Sequence, residues 1–394
     1  MRDPDIMNIP PLTTEQQLHT EEITRLIKQE IRLSGGAMPF DRYMELALYA
    51  PGLGYYQNAG HKIGTGGDFV TAPEVSPYFS RCLARQCAQV LSRLGQGSIL
   101  EIGAGSGVMA ADILVELEAM GCLPERYLIL DLSAYLQHRQ RQTLERRAPH
   151  LLERVSWLDR LPEPGFRGLI LGNELLDAMP VHTFKKTAGG VLEQYVVEHE
   201  GAFASQWHSA SPMLRAAVED IESWYGVLDE GYTSEVNMRL KSWMQQLGRV
   251  LAQGLLLLVD YGYPGPAYYH AERHMGTLIC HYRHRAHADP LILTGLQDIT
   301  ASVDFSAVAR AGVGAGLEAA GYTTQANFLL GCGLDKLLGQ LDPEQHAEYI
   351  DSLQGVKQIT LPSEMGERFQ AMALAKDLSV ELIGFDFRDL RSRL

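Results

Sequence analysis

Residues 99–114 read ILEIGAGSGVMAADIL: an acid, three glycines at alternate positions, then a helical apolar pattern. Glycines that bring a ligand close to the backbone where a strand turns into a helix are the shared logic of α/β nucleotide sites. A dinucleotide fingerprint beginning at Gly103 needs its third glycine at 108, where this chain has Val108. Glu101 before the turn, followed by Gly103, Gly105 and Gly107, is instead the arrangement usual for S-adenosylmethionine. Asp131 ends the next apolar run, YLILDLS, where a carboxylate accepts from both ribose hydroxyls. Leu132 and Ser133 continue that edge. In the plainer alternative the glycines only tighten a turn and Asp131 caps the helix that begins at Ser133.

These residues need strands to carry them. Short apolar runs over 98–102, 126–131, 154–158, 168–174 and 254–262 alternate with helical patterns, which predicts a mostly parallel sheet covered by helices. A late pair, 323–330 and 379–387, is expected to complete it. Upstream, Leu18, Ile23, Ile27 and Ile31 are spaced for one helix, and 38–50 reads as a second, stopped by Pro51 and Gly52. A helix is expected over 77–94, a hairpin at Gly189-Gly190 and a long helix near 234–252. The predicted division is 1–95, N-terminal helices with a Gly-rich lid segment, and 96–394, the catalytic domain with insertions near 185–233 and 262–304.

Two further segments offer polar groups. GGDFVTAPE precedes the first strand and can fold over the ligand, with Gly67, Asp68, Thr71 and Glu74 as contacts; otherwise it is a packing loop. The fourth run ends in GNELLDAMP, placing Asn173, Glu174 and Asp177 at its carboxyl end.

The net charge of −14 opposes unspecific binding to nucleic acid, whose phosphates demand Lys and Arg. Five scattered cysteines with no C-x-x-C pair read as reduced, mostly buried thiols. The N-terminus MRDPDIMNIPPL has no signal core or Arg-rich import pattern, and the apolar run GLLLLVD is too short to span a bilayer. A cytoplasmic bacterial protein without membrane insertion is the expectation. His270, His274, His281, His284 and His287 invite a metal, but Arg273, Arg283 and Arg285 lie among them and no ligand motif supports zinc. The Tyr/His/Arg mixture of this stretch suits partner recognition or a lid better.

Taken together, the blocks from about residue 36 to 385 resemble the MidA-like methyltransferase family, whose mitochondrial members are respiratory complex I assembly factors. GGDFVTAPEVSPYF (66–79), LEIGAGSGVMAADIL (100–114) and LGNELLDAMPVHTF (171–184) carry the likeness, with LLLVDYGYP (256–264) and GLQDITASVDFSAV (295–308) following in order. The resemblance implies a seven-strand Rossmann-like methyltransferase sheet with an N-terminal helical cap and insertions after the fourth and fifth strands. It also implies S-adenosylmethionine as cofactor and a protein arginine as acceptor, in a complex I-type subunit or another partner. The family often has Glu where this chain has Asp131.

Methyl transfer from a sulfonium needs the nucleophile held in line and water excluded. A guanidinium is best gripped by carboxylates. Given an arginine acceptor, Glu174 and Asp177, three apart and on one face if the turn is helical, become the candidate grip, with Asn173 beside the cofactor. Two other readings stay open: a non-catalytic assembly factor that binds S-adenosylmethionine, and a small-molecule methyltransferase. The helices expected in 1–50 and 234–252 suit a homodimer contact as well as a cap, and periodicity does not choose.

Overall fold

The computed structural model describes residues 10–58, 70–342, 344 and 346–394. The chain forms two compact units. One comprises Val70–Leu176, Lys241–Pro264 and Val303–Leu394; the other gathers the described residues before Val70 with Asp177–Leu240 and Gly265–Ser302.

The first unit is built on a sheet. Strands β1 (Ser98–Ile102), β2 (Tyr127–Leu130), β3 (Val155–Leu158), β4 (Phe166–Asn173), β5 (Leu251–Tyr263), β6 (Glu318–Thr324) and β7 (Phe369–Lys376) lie in the order β6-β7-β5-β4-β1-β2-β3. The pairs from β5 to β3 are parallel, and β7 runs antiparallel to both β5 and β6. A two-residue strand, Val303–Asp304, pairs with the end of β5. Both faces of such a sheet are covered, so its strands read as continuous apolar runs; Leu255–Val259 in β5 is buried throughout. Chain order reverses between β1 and β4, and ligands of open α/β sheets bind outside the carboxyl ends at such a switch point.

Helices α1 (Pro77–Leu94), α2 (Val108–Ala119) and α3 (Ala134–Arg147) flank this region. Phe79, Cys82 and Leu83 of α1 share one core with Ile99 and Leu114. Helix α1 therefore belongs with the sheet, and the compact units divide at Phe69/Val70 rather than at the expected 95/96.

The late strands sit upstream of their expected positions. Thr324 caps a helix over Gln325–Gly331, its hydroxyl accepting from the Asn327 N–H, and 379–387 contains only the short helix Ile383–Asp386. The alanine-rich β7 lies between two strands with Gln370–Ala375 buried, so no alternation marks it, and alanine favours helix in isolation.

In the second unit, a capping box between Thr13 and Gln16 starts the helix Thr14–Leu33. Ile23, Ile27 and Ile31 are buried against Phe40, Tyr43 and Met44, whereas Leu18, expected on the same stripe, is 62% exposed. Strands His182–Thr187 and Gly190–His199 form the hairpin signalled by Gly189-Gly190. The expected long helix is confined to Leu240–Val250, which from Lys241 on is assigned to the sheet unit, because Thr233–Val236 pairs as a strand with His182–Lys185. Among the described residues, no helix is long and apolar enough to cross a membrane.

Ion pairs tie the second unit together. Arg239 reaches Glu45 at 2.7 Å and Asp41 at 3.1 Å, while Arg42 bridges Glu30 and Glu45 at 2.6 and 2.7 Å. His182 stands 2.8 Å from Glu193 and 3.5 Å from Asp41. The hydrogen bond from Arg239, seconded by Arg42, holds the Glu45 carboxyl down at about 2.

Candidate active site

The turn after β1 is held open by backbone geometry. Gly103, Gly105 and Gly107 have φ of 73°, 53° and 82°, the left-handed region where a Cβ is penalised. The Gly103 N–H donates to the Leu130 carbonyl at 3.0 Å, fastening the turn to the end of β2. A side chain at Gly107 would stand 2.9 Å from the Cα of Gln140, so α3 packs directly on this glycine.

Asp131 follows β2 and is 8% exposed. Its Oδ1 accepts from the Ser133 N–H at 2.9 Å and its Oδ2 from the Gln140 amide at 2.7 Å. Burial pushes its pKa up, and those two donors oppose the shift. Ser133 caps α3 through its own hydroxyl, and Leu132 between them is 70% exposed. Helix capping and ligand binding are thus not alternatives at this corner: Ser133 caps, leaving Asp131 at its rim.

Glu101 is enclosed in the sheet. Its side chain is 1% exposed and accepts from the Tyr127 hydroxyl at 2.6 Å inside the sheet. Burial raises its pKa to about 7 despite that hydrogen bond.

Thr71 opens the short helix Ala72–Val75, and Glu74 accepts from the Ser106 hydroxyl in the glycine turn. The Ala72 N–H donates to Glu174 Oε1 at 3.2 Å, and the Asn173 amide donates to the same oxygen at 3.0 Å. The stretch after the Gly-rich segment is thereby fastened to β1 and β4 together. Gly67 and Asp68 lie outside the described residues.

Beyond β4 the backbone turns without forming a helix, so the shared helix face expected of Glu174 and Asp177 does not exist. Glu174 has φ of 48°, and Asp260 Oδ2 collects the Leu175 and Leu176 N–H groups at 2.9 and 2.7 Å, replacing the pairing a helix would supply. Asp260 thus serves the turn. Asp177 falls in the second unit, 7% exposed, its carbonyl accepting from the Ala301 N–H.

The structure therefore brings the glycine turn, Asp131, Thr71–Glu74, Asn173 and Glu174 to the carboxyl ends of β1, β2 and β4. Gln140 and Ser106 joined them without being expected. A signal for Gln140 existed: it occupies the buried stripe Leu136, Gln140, Thr143, Leu144 of an otherwise polar helix. Among the described residues, no group of three or more His, Cys, Asp or Glu is placed to hold a metal.

The site fits S-adenosylmethionine on its own chemistry. Each oxygen of Asp131 accepts one protein hydrogen bond and has capacity for another, which matches two vicinal hydroxyls. Asn173 Oδ1 is buried with no hydrogen-bond partner, an acceptor that burial penalises unless a donor arrives.

Comparisons with known proteins point the same way. Residues 82–323 match a family described as "Putative S-adenosyl-L-methionine-dependent methyltransferase". The mitochondrial protein arginine methyltransferase of Mus musculus is 30% identical, covering 86% of this chain and 81% of its own. Its Danio rerio counterpart is 29% identical over 91% of this chain and 89% of its own. A Burkholderia thailandensis protein solved bound to S-adenosyl-homocysteine is 42% identical, with a TM-score of 0.93, covering 98% of this chain and 100% of that one.

Proposed function

This chain belongs to that S-adenosylmethionine-dependent methyltransferase family, and from that premise we propose that it methylates an arginine side chain of a protein partner. The observation that carries the reading is the meeting of the glycine turn, Asp131, Asn173 and Glu174 at the switch point of the sheet. The acceptor comes from the relatives, which are named protein arginine methyltransferases. A complex I-type subunit is the partner we favour, in a bacterial cytoplasm. The 42% identity to the Burkholderia protein supports the bacterial setting, and five free cysteines suit a reducing compartment.

When bound, S-adenosylmethionine supplies a methyl group activated by a sulfonium. In our reading Asp131 accepts from the two ribose hydroxyls, with Leu132 and Ser133 along the same edge. Gly103, Gly105 and Gly107 keep side chains away from the ligand, and Asn173 Oδ1 receives a donor from it. Thr71 and Glu74 close over the turn, Glu74 through Ser106; Gly67 and Asp68 are assigned the same role on sequence alone. Glu101 acts from beneath, keeping the end of β1 in place through Tyr127.

Glu174 orients the acceptor guanidinium. A non-glycine residue at φ 48° is backbone strain, and such strain is retained where a side chain must be aimed. Deprotonating a guanidinium in advance is costly, so the carboxylate's work is to align one nitrogen and accept the proton that nitrogen sheds as it gains the methyl group. Asp177 is the second carboxylate of the expected pair; we read it as a packing residue of its own unit.

The test uses S-adenosylmethionine carrying a heavy methyl group, incubated with the protein and an extract from cells lacking it. Label on a protein arginine, absent with Asp131→Ala, is the expected result. Label only on a small molecule moves the acceptor to that class. Cofactor binding without any label favours the assembly-factor reading.

A further inference from the structure

Gln140 is a fully buried amide, on the buried stripe it shares with Leu136, Thr143 and Leu144. Its Nε2 donates to the Gly105 carbonyl at 3.1 Å and to Asp131 Oδ2 at 2.7 Å. Its Oε1 accepts from the indole N–H of Trp157 on β3 at 2.9 Å. An indole N–H only donates, and a carbonyl and a carboxylate only accept. One amide orientation satisfies all three, so Trp157 dictates which end of Gln140 meets Asp131. The guanidinium of Arg141 lies 3.8 Å over the Trp157 ring.

We propose that Gln140 is a positioning residue that locks the carboxylate of Asp131 to the glycine turn, so that both meet the cofactor as one preformed surface. The inference rests on the reading of Asp131 as the ribose-binding acid. With Ser133 fixing one oxygen and Gln140 the other, the carboxylate has no rotational freedom left to lose when a ligand binds. The neighbouring charges are Glu101 on β1, whose buried carboxyl feels Asp131, and Arg141 on α3, engaged with Trp157.

S-adenosylhomocysteine is titrated calorimetrically into the full chain between pH 5.5 and 8.5. Gln140→Glu keeps the shape. At low pH its carboxyl proton restores a donor to Asp131; at high pH two carboxylates face each other, and the coupled pair resists full ionisation. Its Kd is expected within about threefold of wild type at pH 5.5 and roughly 30-fold weaker at pH 8.5, far beyond any drift of the wild type. Gln140→Met, without donors, weakens binding about tenfold at every pH. Trp157→Phe removes the indole N–H while keeping an aromatic ring, and weakens binding about threefold, providing a readout should the Gln140 variants fold poorly.

Wild-type affinity in all three variants overturns the proposal, as does an equal, pH-independent loss in Gln140→Glu and Gln140→Met, which marks packing alone. Failure of the wild type to bind, or unchanged binding by Asp131→Ala, brings down the cofactor reading itself and the inference with it.

Discussion

Asp131 in the sheet unit is held by an amide and a backbone N–H, whereas Asp41 and Glu45 in the second unit are held by Arg239. Neutral donors fix a carboxylate's direction and leave its charge available to a ligand. Arginine neutralises the charge and leaves little for anything else. In the proposed reading the same residue type serves recognition in one unit and cohesion in the other, and the identity of the donor tells them apart.

The largest expected effect falls on recognition. Asp131→Ala is expected to weaken S-adenosylhomocysteine binding about 100-fold, since two charged hydrogen bonds are lost, with the unfolding midpoint nearly unchanged. A large fall in the midpoint with affinity retained would break the contrast, making Asp131 a cohesive residue like Asp41.

Glu101 sharpens it, being a carboxylate in the sheet unit with no cation at all. With its pKa raised from 4.5 to about 7, the folded protein keeps a proton that the unfolded chain releases. The associated stability is complete below about pH 4.5 and is lost as pH rises to about 7. Glu101→Gln should therefore match wild type in urea unfolding near pH 4.5 and exceed it by about 1–3 kcal/mol at pH 8. Equal stability at both pH values would sink this account.

The smallest effect belongs to the ion pairs. Arg239→Ala is expected to cost about 1 kcal/mol, since its partners are partly exposed, and to leave S-adenosylhomocysteine affinity alone. For Glu45 the sign is opposite to Glu101: its pKa is depressed from 4.5 to about 2, so its contribution is present above pH 4.5 and fades as pH falls toward 2. Urea melts across that range, with and without 1 M salt, check both points; a salt-insensitive loss would argue for packing of the Arg239 stem instead.

The contrast also separates what was legible from what was not. The glycine turn, β1, β2 and Asp131 are local: adjacent residues, strand then turn then acid, each recognisable by type and spacing. The ion pairs of Arg239 join residues nearly two hundred positions apart, such as Arg239 and Asp41, and no periodicity announces them. The late strands failed for a third reason, since burial on both faces erased the alternation from β7. Glu174 and Asp177 were expected to share a face if the turn was helical, because their spacing was visible and Asp260, which ties down the intervening backbone, was not adjacent. Gln140 was in plain view as a polar residue on a buried stripe.

Gly107 carries a last consequence. It ends the signature by which such turns are recognised, and its missing side chain also makes room for α3 at Gln140. It works as a spacing gauge between two helices. Gly107→Ala would push α3 outward, carrying Gln140 away from Gly105 and Asp131, and a binding assay would record that displacement as lost affinity. In this turn part of the sequence signature encodes the distance between scaffold elements, and the ligand senses it second-hand.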